Sequence, residues 1–128
     1  MKWFAAIVFV FFFAGVKAQG QASESQLALS YFKDKEFDKA AILYEKLYTS
    51  TTSRVYFTYY IQCLIELKNY EEAEKIIKKE AKKNKYDPGF LVELGSLYKQ
   101  QGRITDATEE YEEAIKKMSP GQANVINL

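Results

Sequence analysis

The fold is decided by residues 91–114, which read LVELGSLYKQQGRITDATEEYEEA. In this stretch a small residue, Ala107, has large apolar residues thirteen and nine positions before it and another four positions after it. The same spacing of large apolar residues is found around Ala40 and Ala73. The three alanines are 33 and 34 residues apart along the chain. The large residues are Leu27, Tyr31 and Tyr44 in the first copy, Tyr60, Leu64 and Ile77 in the second, and Leu94, Tyr98 and Tyr111 in the third. A period of this length is typical of stacked helical hairpins.

The apolar spacing within each copy is helical. In residues 54–67, for example, the apolar residues recur at steps of three and four and fall on one helical face. The sequence therefore predicts an all-α fold of six helices, paired into three antiparallel hairpins that must stack to bury their apolar faces. The predicted helices are approximately 22–34, 37–49, 54–67, 70–84, 88–101 and 104–118.

Local signals predict where several of these helices begin and end. Asn69, with Glu72 three residues later, forms a capping-box pattern. Asp87 places a capping carboxylate ahead of Pro88, a residue that suits the first helical turn. Gly102 is expected to end the helix that precedes it.

Residues 1–18 have the organisation of a secretory signal peptide. Lys2 supplies a basic start, an uncharged apolar run follows, and short residues precede an expected cleavage before Gln19. The apolar run is shorter than the roughly 20 residues that span a bilayer. We therefore expect an exported chain, periplasmic or secreted, with no membrane contact after signal removal. The alternative is an N-terminal membrane anchor that stays attached.

The composition argues against several classes of function. The 128-residue chain has 18 basic and 17 acidic residues, and loss of Lys2 and Lys17 would leave 18 − 2 = 16 basic residues and a net charge of −1. A nucleic-acid binder would carry a basic surface, so none is predicted. The chain has no histidine, the commonest general base and metal ligand. We predict no enzyme, no catalytic residue, no cofactor and no metal. We expect the single cysteine, Cys63, to be a buried or half-buried thiol, and its pairing with another chain is the alternative.

The third copy matches the pattern of a known family at Leu91, Leu94-Gly95, Tyr98, Gly102, Ala107, Tyr111 and Ala114. On these residues the chain resembles the tetratricopeptide repeat family over about 24–118. The resemblance implies a right-handed superhelical solenoid in residues 19–121. Its repeats would be about 21–53, 54–87 and 88–121.

If the repeat spacing continues, residues 122–128 would begin a further helix. Two interpretations follow: this is the front of a longer protein, which we favour, or the uncapped C-terminal face pairs with another chain, which includes self-association. In the family, small residues such as Ala73 lie where the two helices of a hairpin cross. Ile61 and Glu80 stand where a small residue is usual, so the middle hairpin is expected to cross atypically.

The resemblance also implies a ligand groove formed by the first helix of each hairpin. The residues at its groove positions are Leu29, Phe32, Lys33, Thr58, Tyr59, Gln62, Ile65, Glu66, Val92, Ser96 and Lys99. The residues of the family's known two-carboxylate clamp are not at the matching places. Phe32, Tyr59 and Ile65 are the expected anchors for an extended peptide or an amphipathic helix.

The predicted function is therefore an exported, non-enzymatic scaffold that binds a protein or peptide partner. The alternative is the N-terminal docking or spacer domain of a longer enzyme or receptor, with the groove positions serving as ordinary surface. Two charged runs are expected to be solvated helix faces: Glu109 to Glu113, and the lysines of residues 75–85. For the lysines, contact with an anionic surface is the second interpretation.

Overall fold

The computed structural model describes residue 20 and residues 23–118. Within this part of the chain there are six helices and no strand, so the all-α prediction is confirmed there. The helices are α1 (23–33), α2 (Phe37–Thr51), α3 (Arg54–Glu66), α4 (Tyr70–Lys83), α5 (Gly89–Gln100) and α6 (Ile104–Lys117). None of the described helices has the length and apolar character needed to cross a membrane. The predicted signal peptide at 1–18 and the predicted helix start at 122–128 lie outside the described residues.

Three turns between helices contain a left-handed residue at the same position of the repeat. Lys35, Lys68 and Gly102 have φ values of 60°, 59° and 74°. After α5, the amide of Arg103 donates to the carbonyl of Tyr98 at 2.9 Å, which closes the helix as predicted for Gly102. The repeat period therefore appears in the backbone of the turns as well as in the apolar side chains.

One of the two predicted caps is confirmed and the other is wrong. A carboxylate oxygen of Asp87 accepts a 2.8 Å hydrogen bond from the amide of Gly89, at the start of α5. Asn69 precedes α4 but makes no capping hydrogen bond with its side chain. The left-handed turn at Lys68 leaves Asn69 at φ −87° and ψ 56°, whereas a capping side chain normally extends from a β-region backbone.

The chain divides into two compact units, Met1–Leu67 and Lys68–Leu128. In the first unit α2 packs against α3, and Ala28 and Ala40 are buried as predicted. Cys63 is also buried, as predicted. Leu27 was expected to face inward, but its side chain is 45 % exposed. The neighbouring Ala28 takes the buried position, and adjacent residues on a helix point about 100° apart.

In the second unit α5 packs against both α4 and α6. A Cβ atom added to Gly95 would lie 2.6 Å from a ring carbon of Tyr111 and 3.1 Å from the carbonyl oxygen of Ala107. The close crossing of α5 and α6 therefore requires the small residues that the sequence places there. Glu80 is buried, and its carboxylate accepts a 3.3 Å hydrogen bond from the side-chain amide of Asn84. The expected crossing of the middle hairpin would join the two units and stays a prediction.

Candidate binding surface

Two of the predicted groove residues of the first unit, Phe32 and Tyr59, belong to an aromatic cluster. Its other members are Phe37, Tyr44 and Tyr56. The ring of Phe32 on α1 meets that of Tyr59 on α3 edge to face, with the centroids 5.0 Å apart. Tyr59 also stacks on Tyr44 of α2 at 4.8 Å, with an angle of 9° between the rings. The aromatic cluster therefore joins all three helices of the unit, at separations typical of favourable ring pairs.

The cluster has a buried inner part and an accessible outer part. Tyr44 is only 2 % exposed, and burial is the main reason that the pKa of its hydroxyl is raised to about 12. Phe32 and Tyr59 are half-buried. The structure therefore brings together two of the three predicted anchors, and leaves part of each ring accessible to a ligand.

The other predicted residues of the first unit differ in how accessible they are. Lys33 and Thr58 are exposed, while Leu29 and Ile65 are half-buried. On α3 the side-chain amide of Gln62 donates a 2.9 Å hydrogen bond to Glu66, one helical turn later. The polar members of this set lie on the same helices as the aromatic anchors Phe32 and Tyr59. The assignment of the whole set to a groove stays a prediction.

The three predicted residues of the second unit lie on α5. Val92 and Ser96 are both half-buried. Lys99 lines a hollow of about 150 Å³ together with Tyr111 and the exposed Ile104. Lys99 therefore lies beside residues of α6, which the groove prediction did not anticipate.

The described residues show little sign of reactive chemistry. No group of three or more acidic, cysteine or histidine side chains is arranged to hold a metal within the described part of the chain. Burial is the main cause that raises the pKa of the Cys63 thiol to about 11, so this thiol is protonated at neutral pH.

A second concave surface lies in the second unit, at lysines that the sequence indicated as a solvated helix face, with contact with an anionic surface as the second interpretation. It is a groove of about 710 Å³ lined by residues of α4, α5 and α6. Its basic residues are Lys78, Lys82, Lys85 and Lys117. We call it the lysine groove. From the sequence, a run of lysines on one helix predicts only an exposed face. The groove itself could not be predicted, because its other residues come from α5 and α6.

Comparison with known families agrees with this architecture of paired helices. The family model described as "Anaphase-promoting complex, cyclosome, subunit 3" matches residues 11–80, more than half of the chain. The model described as "Tetratricopeptide repeat" matches residues 88–116. The chain therefore belongs to the tetratricopeptide repeat family. The first of the two models matches the larger share of the chain. No curated protein sequence matched the chain.

Solved structures show the same fold at low sequence identity. The type III secretion translocator chaperone SycD of Yersinia enterocolitica is 14 % identical, with a TM-score of 0.65, over 80 % of this chain and 78 % of SycD. PcrH of Pseudomonas aeruginosa is 17 % identical, with a TM-score of 0.64, over 83 % of each chain. The TPR2AB domain of yeast Sti1 is 16 % identical, with a TM-score of 0.65, over 84 % of this chain and 44 % of that one. The predicted all-α helical-repeat solenoid is confirmed.

Proposed function

We propose that this chain is an exported, non-enzymatic scaffold that binds a peptide or helix of a partner protein through the first helices of its repeats. The observation that carries the proposal is the convergence of Phe32 and Tyr59. Their half-buried rings come from two different first helices, α1 and α3, and meet at 5.0 Å. Aromatic side chains held in place by packing are favourable anchors for a partner, because little conformational entropy remains to be lost on binding.

Structures of similar proteins support this type of activity. PcrH has been determined with the chaperone binding region of PopB, SycD with a peptide of the translocator YopD, and the Sti1 domain with pHSP90. In the PcrH and SycD structures the bound partner is a segment of another protein. For this chain, a peptide-sized partner is the proposal that these complexes support.

The surface around the two rings can be tested without disturbing the packed core. Phe32 and Tyr59 both belong to the aromatic cluster, so truncating either side chain would lower the stability of the fold as well as any binding. Thr58 is exposed and adjoins Tyr59 in sequence, which makes it a suitable site for a bulky substitution. Ile42 on α2 is 68 % exposed and provides a matched control on a second helix of the same unit.

The experiment uses a photo-crosslinking amino acid at Thr58 or at Ile42 in cells that produce the full chain. We expect a defined crosslinked partner from Thr58 and none from Ile42. Thr58→Arg should then abolish co-purification of that partner, while Ile42→Arg retains it. Identical crosslinks from both positions, or equal retention by both arginine variants, would contradict the groove assignment.

Export belongs to the same proposal, and it rests on residues 1–18. Fractionation followed by N-terminal sequencing should give a chain that starts at Gln19, outside the cytoplasm. A chain that starts at Met1 in the membrane fraction would favour the retained anchor instead.

Self-association through the C-terminal face is supported by the hollow beside Lys99 and by the exposure of Ile104. Exposed apolar groups beside a concave surface favour association. Sedimentation equilibrium of the wild-type chain and of Ile104→Lys tests this part. We expect the variant to be more monomeric, and identical sedimentation would contradict it.

A further inference from the structure

The lysine groove lies entirely within the second unit and combines a basic rim with an apolar floor. Lys78 and Lys82 are one helical turn apart on α4, Lys85 follows that helix, and Lys117 faces them from α6. Leu91 and Leu94 of α5 form the floor together with Ala81. Leu94 is 2 % exposed, so the floor is recessed below the ammonium groups of the rim.

The charges of the rim are not balanced within the groove. Lys78 pairs with Glu74 at 2.5 Å, and Lys117 pairs with Glu113 at 3.6 Å. Among residues 23–118 no carboxylate lies within ion-pair distance of Lys82 or Lys85. One carboxylate, Glu110, lines the groove against four lysines. It is half-buried, and burial is the main reason that its pKa is raised.

We propose that the lysine groove binds an acidic segment of a partner protein in which carboxylates flank an apolar side chain. Lys78 and Lys82 lie four residues apart, about 6 Å along α4, and carboxylates one turn apart on a partner helix match this spacing. The apolar side chain between them would cover Leu91 and Ala81, which are both half-buried. Lys82 and Lys85 supply the charge complementarity, because neither has a carboxylate partner among the described residues.

A peptide fits this geometry better than the other two anionic surfaces that could contact lysines. A bilayer surface is flat on the scale of one helix, so it would touch the rim and leave the half-buried Leu91 and Ala81 of the floor uncovered. A second copy could offer the acidic flank of α6. There, however, Glu113 already pairs with Lys116 and Lys117, which dilutes the charge that would be presented.

The test uses the full-length chain and a fluorescein-labelled helical peptide with glutamates four residues apart on either side of a leucine. Control peptides replace both glutamates with glutamine, or the leucine with serine. Fluorescence anisotropy should show binding of the first peptide that weakens with salt, and much weaker binding of both controls. Equal binding of the serine peptide would overturn the apolar part of the proposal.

Matched variants locate the binding on the chain. Lys82→Gln with Lys85→Gln should weaken binding by about tenfold, whereas Lys75→Gln with Lys79→Gln removes the same charge outside the groove and should change it by less than about twofold. Glu110→Gln should strengthen binding by about threefold, because it removes the opposing carboxylate. Equal weakening by the two lysine pairs would overturn the proposal in favour of nonspecific charge attraction.

Two further measurements distinguish the other occupants. Vesicles of phosphatidylcholine with phosphatidylserine should not bind the chain through Lys82 and Lys85. Vesicle binding that this pair of substitutions abolishes, without any peptide binding, would overturn the proposal in favour of a membrane surface. A dimer in sedimentation equilibrium that the same substitutions dissociate, again without peptide binding, would overturn it in favour of a second copy.

Discussion

The hydroxyl of Tyr98 donates a 2.9 Å hydrogen bond to Glu74 and so ties α5 to α4. The same carboxylate accepts hydrogen bonds from Lys78 at 2.5 Å and from Arg103 at 3.1 Å. The guanidinium carbon of Arg103 also lies 4.0 Å from the centroid of the Tyr98 ring. Glu74 is therefore the common acceptor of three donors, from α4, from α5 and from the turn that precedes α6.

Replacing this acceptor should destabilise the chain in a pH-dependent way. The hydrogen bond from Lys78 is the main reason that the pKa of Glu74 lies below its ordinary value of 4.5. A lowered pKa stabilises the folded state above the ordinary pKa, and this contribution is lost as the pH falls through the folded value. Glu74→Gln should lower the free energy of unfolding by about 1–2 kcal/mol at neutral pH, measured by urea titration.

The control is Glu72→Gln, because Glu72 makes an exposed pair with Lys75 at 3.5 Å. Glu72→Gln should change the free energy of unfolding by no more than about 0.5 kcal/mol. The difference between the wild-type chain and Glu74→Gln should shrink as the pH falls below about 4. A difference that stays constant well below pH 4 would show that the carboxylate charge is not responsible.

The second prediction concerns the crossing of α5 and α6. Gly95→Ala would place a Cβ atom 2.6 Å from the Tyr111 ring, so the helices or the ring must shift. We expect the free energy of unfolding to fall by about 1–3 kcal/mol, although alanine is the better helix former by about 1 kcal/mol. In the background of Tyr111→Leu the same substitution should cost clearly less. Stabilisation by Gly95→Ala would mean that helix propensity outweighs the close crossing.

The fold could be predicted from the sequence where one local constraint fixes one residue type. Ala40 and Ala107 are buried, and at Gly95 an added Cβ atom would lie 2.6 Å from the Tyr111 ring. The turns were harder to predict, because Lys35 and Lys68 adopt the left-handed backbone that only Gly102 signals in the sequence. Residues other than glycine adopt this left-handed region rarely, so a lysine in the sequence gives no sign of it.

The candidate surfaces were harder to predict than the fold, because they depend on contacts between residues that are distant in sequence. The repeat register placed Phe32 and Tyr59 on first helices, but their contact through the ring of Tyr44 depends on three helices packing together. The lysine groove was missed for the same reason. Lys82 has the spacing of a solvated residue, and it becomes part of a groove only when Leu91 from the next helix lies beside it.

The third prediction concerns Tyr44 at high pH. Its pKa is raised from an ordinary value of 10.0 to about 12, chiefly by burial, so the folded state holds the phenol proton longer than the unfolded state does. The associated stability is fully present below about pH 10 and is lost as the pH rises towards 12. Tyr44→Phe should therefore lose less stability than the wild-type chain over this interval, in urea titrations at successive pH values.

Tyr86→Phe is the control for this experiment, because Tyr86 is 98 % exposed. It should follow the wild-type pH profile. At neutral pH Tyr44→Phe keeps the stacked ring and should cost less than about 1.5 kcal/mol, whereas Tyr44→Ala should cost about 3–5 kcal/mol. Parallel profiles for Tyr44→Phe and the wild-type chain would rule out Tyr44 as the source of the alkaline destabilisation.

The last prediction concerns the reactivity of Cys63. This thiol is buried, and its pKa of about 11 keeps it protonated near neutral pH, so the native chain should react with a thiol reagent only when the fold opens. The labelling rate should rise with urea in step with the population of open molecules. Tyr86→Cys in a Cys63→Ala background supplies an exposed thiol, which should react at once under the same conditions. Rapid labelling of the wild-type chain at a rate independent of urea would contradict the burial of Cys63.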